Sequence, residues 1–391
     1  MGKNNRKRSL LTGLAVLLLP AVLLLWGRGL EGAALLGTGL AVPLGGIKAL
    51  VQDNGPSAPD ITAVLYSKES TAPASPAQPE TSSVVQTRQT ANEAPKKPDT
   101  SVSEQAESLQ AVPADIAALA AKTEAAAKGK KLGGVAEVDF SRAGTTHSYS
   151  SVRVKNTTET KSLDIRAELA KKPDIKVKDK KKPAVLIFHT HTTESFALFE
   201  RSFYTAEDTG RSNDPAQNMA RIGKEIASRL EKAGYTVIHD TTIHDTSYNG
   251  SYSRSAVTVQ RHLKANPEIQ VILDIHRDAM HSGKLRQKPV AEIDGKKAAQ
   301  LMIITGAQEG GITNFANWKG NLNFALHLQK ALADKYPGLA RPVYFCQRVY
   351  NMNLGKNNLL IEVGSDANTL DEAAYTGRLL GEALAEVMEW S

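Results

Sequence analysis

Cysteine is almost absent: Cys346 is the only one in 391 residues. That excludes an intramolecular disulfide framework and any multi-cysteine zinc or iron–sulfur site. A zinc site in this chain has to use His and carboxylate ligands. Aromatic residues are also scarce, at 5% of the chain, and Tyr66 is the only one between Gly27 and Asp139. So poor a stretch holds no large core, which leaves the folding material in the C-terminal part. A dominant charge is missing as well. Lys and Arg number 48 against 41 Asp and Glu, a net +7 spread along the chain. With no recognition motif beside it, that charge disfavours a nucleic-acid partner. No internal repeat of solenoid period is present.

What is there begins with a membrane signal. Lys3, Arg6, Lys7 and Arg8 precede an uncharged run over 10–26, the short end of what spans a hydrocarbon core. Basic residues before the run place the N-terminus in the cytoplasm and the rest outside. No clean A-x-A site follows, so residues 1–51 read as an uncleaved single-pass anchor rather than a cleaved signal peptide. Residues 52–135 carry eight of the seventeen prolines among Ala, Ser, Thr, Gln and Glu. Such a segment buries too little apolar surface to offset its conformational entropy and reads as a disordered linker, with a short Ala-rich helix at 114–128. Residues 136–391 then form one extracytoplasmic catalytic domain.

That domain has an α/β pattern. Strands are expected at 184–188, 235–239, 269–275, 299–305 and 358–363, and helices at 214–233, 251–264, 317–336 and 369–390. Gly234 closes the first helix and Pro267 follows the second. Strands alternating with helices predict a mainly parallel twisted sheet with helices on both faces, whose site lies beyond the carboxyl ends of the strands.

Three of those ends carry chemistry. The first delivers His189, His191 and Glu194, the third His276, and the last Glu362. A catalytic zinc takes three protein ligands and leaves a position for water. A carboxylate off the metal moves the proton from that water to the leaving amine. His191 and Glu194, an H-x-x-E pair in one turn, with His276 from another strand, make the ligand set, and Glu362 is the general base and acid. His189 points to the same strand face as His191; it orients a ligand or holds the oxyanion. The alternative ligand set is His189, Glu194 and His276. His147, His239, His244, His262, His281 and His327 read as surface or turn residues, with His244 and His281 nearest the cleft.

The stretches PAVLIFHTHTTESF, HDTSYNGSYSRSA, VILDIHRDA, NWKGNLNFAL and NLLIEVGSDANTLDEA resemble the stage II sporulation protein P family over about 152–389. The resemblance implies a fold related to zinc N-acetylmuramoyl-L-alanine amidases and, more distantly, zinc carboxypeptidases. It implies a membrane-anchored peptidoglycan hydrolase of endospore formers. That enzyme cleaves the muramic acid–L-alanine amide, with a further endopeptidase activity on stem-peptide cross-links, during septal wall thinning and engulfment. Implied partners are stage II sporulation proteins D and M. The carboxypeptidase order of H-x-x-E, a distant His and a later Glu supports His191 over His189. The amidase pattern instead puts the carboxylate ligand at the opening of the first helix, where this chain has Asp214. Arg254, Arg277 and Arg348 are candidates for binding peptide carboxylates. The rival readings are a zinc peptidase that cuts stem peptides only and a non-enzymatic recruiter of wall hydrolases.

Overall fold

The computed structural model describes residues 109–160 and 162–390. The expected anchor and most of the expected linker lie outside them. Among the described residues no helix is long and apolar enough to cross a membrane.

Strands follow in chain order as β1 (Gly133–Val138), β2 (His147–Tyr149), β3 (Val152–Asn156), β4 (Pro183–Phe188), β5 (Phe203–Tyr204), β6 (Thr236–His239), β7 (Val271–Asp278), β8 (His281–Ser282), β9 (Leu285–Ile293), β10 (Lys296–Ala299), β11 (Leu301–Gly306), β12 (Val343–Cys346) and β13 (Asn358–Ser365). Helices are α1 (Ala114–Ala126), α2 (Ile165–Leu169), α3 (Met219–Lys232), α4 (Ser251–Ala265), α5 (Trp318–Lys335) and α6 (Leu370–Glu389). An eight-stranded sheet runs β2-β3-β12-β11-β13-β7-β4-β6. All its pairings are parallel except β2 with β3 and β11 with β13. The mainly parallel sheet is therefore present.

The centre of this sheet reads as continuous apolar sequence because it is covered on both faces. Every residue of β7 and β13 is buried. The odd-numbered side chains Leu273, Ile275, Ile361 and Val363 join one large core with α3, α5 and α6. The opposite face carries the smaller cluster of Leu186, Phe188, Ile272 and Val259 from α4. Local signals set the helix ends. Asn218 caps α3 through the Ala220 amide, and Thr369 with Glu372 forms a capping box on α6. The first helix thus starts at Met219, not 214, and Asp214 lies in the exposed turn before it.

A second, five-stranded sheet runs β10-β9-β1-β5, with β8 against β9. It has no counterpart among the expected strands. Its β9 carries Pro289 and the buried Lys288, whose ammonium meets Glu372 at 2.7 Å and also contacts Glu200. The strand expected at 299–305 is found as β11, set off from β10 at Gln300, whose side chain bonds the Phe140 amide, Asp139 and the Gly338 carbonyl. The boundary expected at 136 falls inside β1. Folded chain extends further back, with Leu109 and Ile116 buried in the main core.

Candidate active site at the strand ends

Because β4, β7 and β13 are parallel, their carboxyl ends share one edge. In the register of β13 with β7, Glu362 stands opposite His276, and β4 delivers His191 and Glu194 in the turn that follows it. The His191 and His276 rings meet edge to face with centroids 5.3 Å apart. His276 Nδ1 lies 3.7 Å from Glu194 Oε2. All four side chains are buried. His189 does not join them. The Ile275 carbonyl can only accept, so His189 Nδ1 donates to it at 2.9 Å. His189 Nε2 must then accept from His239 Nε2, also at 2.9 Å. Burial and the adjacent His239 imidazole depress His189 to about 3. Both its nitrogens are engaged in bracing β4 against β6 and β7.

The electrostatics follow from burial and neighbours. Burial opposes charge on Glu194, but Arg277, His191, His276 and Arg211 outweigh it and hold the carboxyl below its ordinary range. The Arg277 amide donates to Glu194 Oε2 at 3.2 Å. Burial likewise opposes charge on His276, yet Asp274, Glu194 and Glu362 raise it to about 9. Glu362 is pushed far above the carboxylate range by burial and by Asp278, with His276 pulling the other way. Asp278 in turn pairs with the fully buried Arg341 at 2.6 Å.

The remaining expected residues separate. Asp214 accepts from the Ala216 amide and from Gln217, and is exposed, so Glu194 is the carboxylate at the cluster. Arg277 spends its guanidinium on the carbonyls of Ser195, Gly210 and Asp278. Arg254 spends its own on the carbonyls of His244, Ser247 and Asn249. Each guanidinium nitrogen of both thus already has a backbone acceptor. Arg348 is half-buried. His327 is buried within α5 and His239 is half-buried at the end of β6, neither of them a surface turn residue, whereas His244 lies buried in the loop between β6 and α4.

Asp274 and three tyrosines escaped the sequence reading. Asp274 Oδ1 sits 2.8 Å from His276 Nε2, and its carboxylate also accepts from the Thr190 amide and hydroxyl. The D-x-H spacing on a strand, which puts both side chains on one face, was the available signal. Tyr248 stacks on His191. Tyr252 lies against both His191 and His276 and stacks on Tyr350.

Among the described residues no set of three or more His, Cys, Asp or Glu side chains is arranged as a formed metal site. The donor chemistry nonetheless fits zinc. Two ligands of a tetrahedral zinc with bonds of about 2.0–2.1 Å stand roughly 3.3 Å apart, close to the 3.7 Å between His276 and Glu194. His191 Nδ1 and Glu362 Oε2 are buried with no hydrogen-bond partner. Asp274, 2.8 Å behind His276 Nε2, is the kind of neighbour that would orient an imidazole ligand.

Fold and site together define an α/β protein with a buried His–carboxylate cluster at the ends of three parallel strands. A family model described as Stage II sporulation protein P matches residues 62–385, and the chain belongs to that family. Stage II sporulation protein P of Bacillus subtilis (strain 168) is 27% identical over 250 residues, which span 61% of this chain and 59% of that protein. Among solved structures, the CwlD amidase from Clostridioides difficile in complex with the GerS lipoprotein is 9% identical, with a TM-score of 0.35 over 53% of this chain and 100% of that one. The N-acetylmuramyl-L-alanine amidase Ami1 from Mycobacterium smegmatis is 11% identical, with a TM-score of 0.34 over 55% and 100%.

Proposed function

We propose that this chain is a zinc-dependent peptidoglycan hydrolase of sporulation, an N-acetylmuramoyl-L-alanine amidase with a further endopeptidase activity on stem-peptide cross-links. One observation carries the reading. Two imidazoles and two carboxylates meet at one edge of the sheet, and His191 Nδ1 and Glu362 Oε2 there are buried without a partner.

In this reading His191, Glu194 and His276 hold zinc. When bound, the metal supplies Lewis-acid polarisation of the water and of the amide carbonyl. Asp274 keeps His276 in the tautomer that presents Nδ1 to the cluster. Glu362, whose ionised form the positive charge of a bound zinc would favour, then takes a proton from the attacking water on Oε2 and hands it to the leaving amine. The water oxygen bonds to the carbonyl carbon, the C–N bond breaks, and the products are a carboxylic acid and an amine. The burial that raises Glu362 also favours its return of that proton. Arg348 takes a stem-peptide carboxylate. The chain acts outside the membrane on a single-pass anchor in the septal or engulfing membrane, with stage II sporulation proteins D and M as partners.

Product analysis on purified sacculi tests this. Lactyl-muramic residues freed of L-alanine, with intact stem peptides beside them, are the expected products. Shortened stems with every sugar-linked L-alanine retained would sink the amidase assignment in favour of a stem-peptide peptidase.

A further inference from the structure

His276 has a carboxylate close behind it, with Asp274 Oδ1 at 2.8 Å from Nε2. His191 has no such carboxylate: among the described residues neither of its ring nitrogens makes a hydrogen bond, and Nδ1 is buried and open toward the cluster. A metal-ligating imidazole ordinarily needs its plane fixed by a neighbouring group. The loop between β6 and α4 provides that group. Its Tyr248 lies parallel to the His191 ring, at 5° and 4.8 Å between centroids, while remaining 42% exposed. Tyr252 and His276 meet the same imidazole edge to face, so its plane is set by rings on more than one side.

The placement of Tyr248 is built. Arg254, from the first turn of α4, folds back and donates Nε to the His244 carbonyl, Nη1 to Asn249 and Nη2 to Ser247. A planar guanidinium used this way is a rigid clamp. The loop's start is tied down as well. His244 bridges the His189 carbonyl and Thr258. Asp245 accepts from the amide and hydroxyl of Thr193, between His191 and Glu194, and from Arg211 at 2.6 Å. At the other end Gly250 takes φ +83°, which only glycine adopts without strain. These ties fix the backbone on both sides of the tyrosine.

We infer that Tyr248 is a positioning residue for His191, with Arg254 as the clamp that sets it. The inference rests on the zinc reading above and adds what fixes that ligand's plane. The test is zinc titration of the full chain against a chromophoric chelator, with the His191 ring resonances followed by NMR. Tyr248→Phe keeps the stack and is expected to bind zinc within about twofold of wild type. Tyr248→Ala is expected to weaken zinc about 10–100-fold, the range for losing an orienting neighbour, with the His191 resonances broadened. Arg254→Ala should weaken zinc comparably, and the double variant no further than Tyr248→Ala alone. Tyr248→Leu keeps the bulk without the aromatic face and should resemble the alanine variant, which separates orientation from simple filling. Wild-type affinity in Tyr248→Ala overturns the inference, and so does a loss in Tyr248→Phe equal to that in Tyr248→Ala. If the wild-type chain binds no zinc that His191→Ala abolishes, it is the zinc reading that fails.

Discussion

At the scale of single residues, the two histidines of the H-T-H stretch have opposite fates. His191 keeps a free buried nitrogen, whereas His189 has both nitrogens engaged. His191→Ala is therefore expected to lose bound zinc. His189→Ala should keep zinc and lose fold stability instead, by about 1–3 kcal/mol for the hydrogen-bond partners it strands. Metal analysis and urea unfolding of the two variants check this, and retained zinc in His191→Ala would overturn the ligand assignment. Glu362→Gln removes the proton carrier but touches none of the assigned ligands. It should bind zinc normally and lose roughly 10²–10⁴-fold in turnover, the usual worth of a general acid–base. His191, Glu194, His276 and Glu362 were legible because unusual polar residues end apolar runs. Asp274 and Tyr248 were not. Asp274 sits inside such a run, and Tyr248 gains its meaning from a loop path that only the packing of α4 reveals.

At the scale of elements, the parallel centre was readable because strands buried on both faces leave an uninterrupted apolar signature. The second sheet was not, because β9 offsets its buried Lys288 with carboxylates from three other parts of the chain. Packing also imposed identities that no pattern reports. A Cβ on Gly223 of α3 would stand 2.3 Å from His239 Nε2 and 2.8 Å from His189 Nε2, so glycine there lets the helix close over the histidine pair. The end of β6 is joined to α4 by Asp240, which meets His262 at 2.7 Å and Arg261 at 3.1 Å. Burial alone would raise the Asp240 carboxyl, but hydrogen bonds from His262 and Thr242 outweigh it and bring it from 3.8 to about 2. A carboxyl depressed on folding stabilises the fold above its unfolded pKa, and that contribution disappears as pH falls through the folded value. Asp240→Asn should accordingly cost about 2 kcal/mol at pH 7 and roughly half as much at pH 3. Urea midpoints of the two proteins at both pH values measure it, and a pH-independent difference would sink the linkage.

At the scale of the whole molecule, the composition break near residue 135 does not coincide with the edge of the fold. Low aromatic content and abundant Ala made 109–135 look like a continuation of the linker, yet a few apolar contacts and donated backbone bonds suffice to dock it. Leu109 and Ile116 enter the main core. Arg378 of α6 donates to the carbonyls of Leu109 and Ala111, and Lys296 donates to that of Gln110 at 2.7 Å. Asp115 of α1 pairs with Arg221 of α3. Further on, β1 is the inner strand joining β9 to β5, so removing it opens the second sheet and leaves two edges unpaired. Burying one Leu or Ile is worth roughly 1.5–3 kcal/mol, so losing Leu109 and Ile116 costs about 3–6 kcal/mol before any β1 pairing is counted. That is a large share of the roughly 5–15 kcal/mol that holds a typical domain folded. A chain shortened to begin at residue 105 keeps all of these contacts and serves as the reference for urea unfolding. One beginning at 139 should be strongly destabilised or insoluble. Equal midpoints for the two would show that the arm merely rests on the catalytic core and that the core is complete without it.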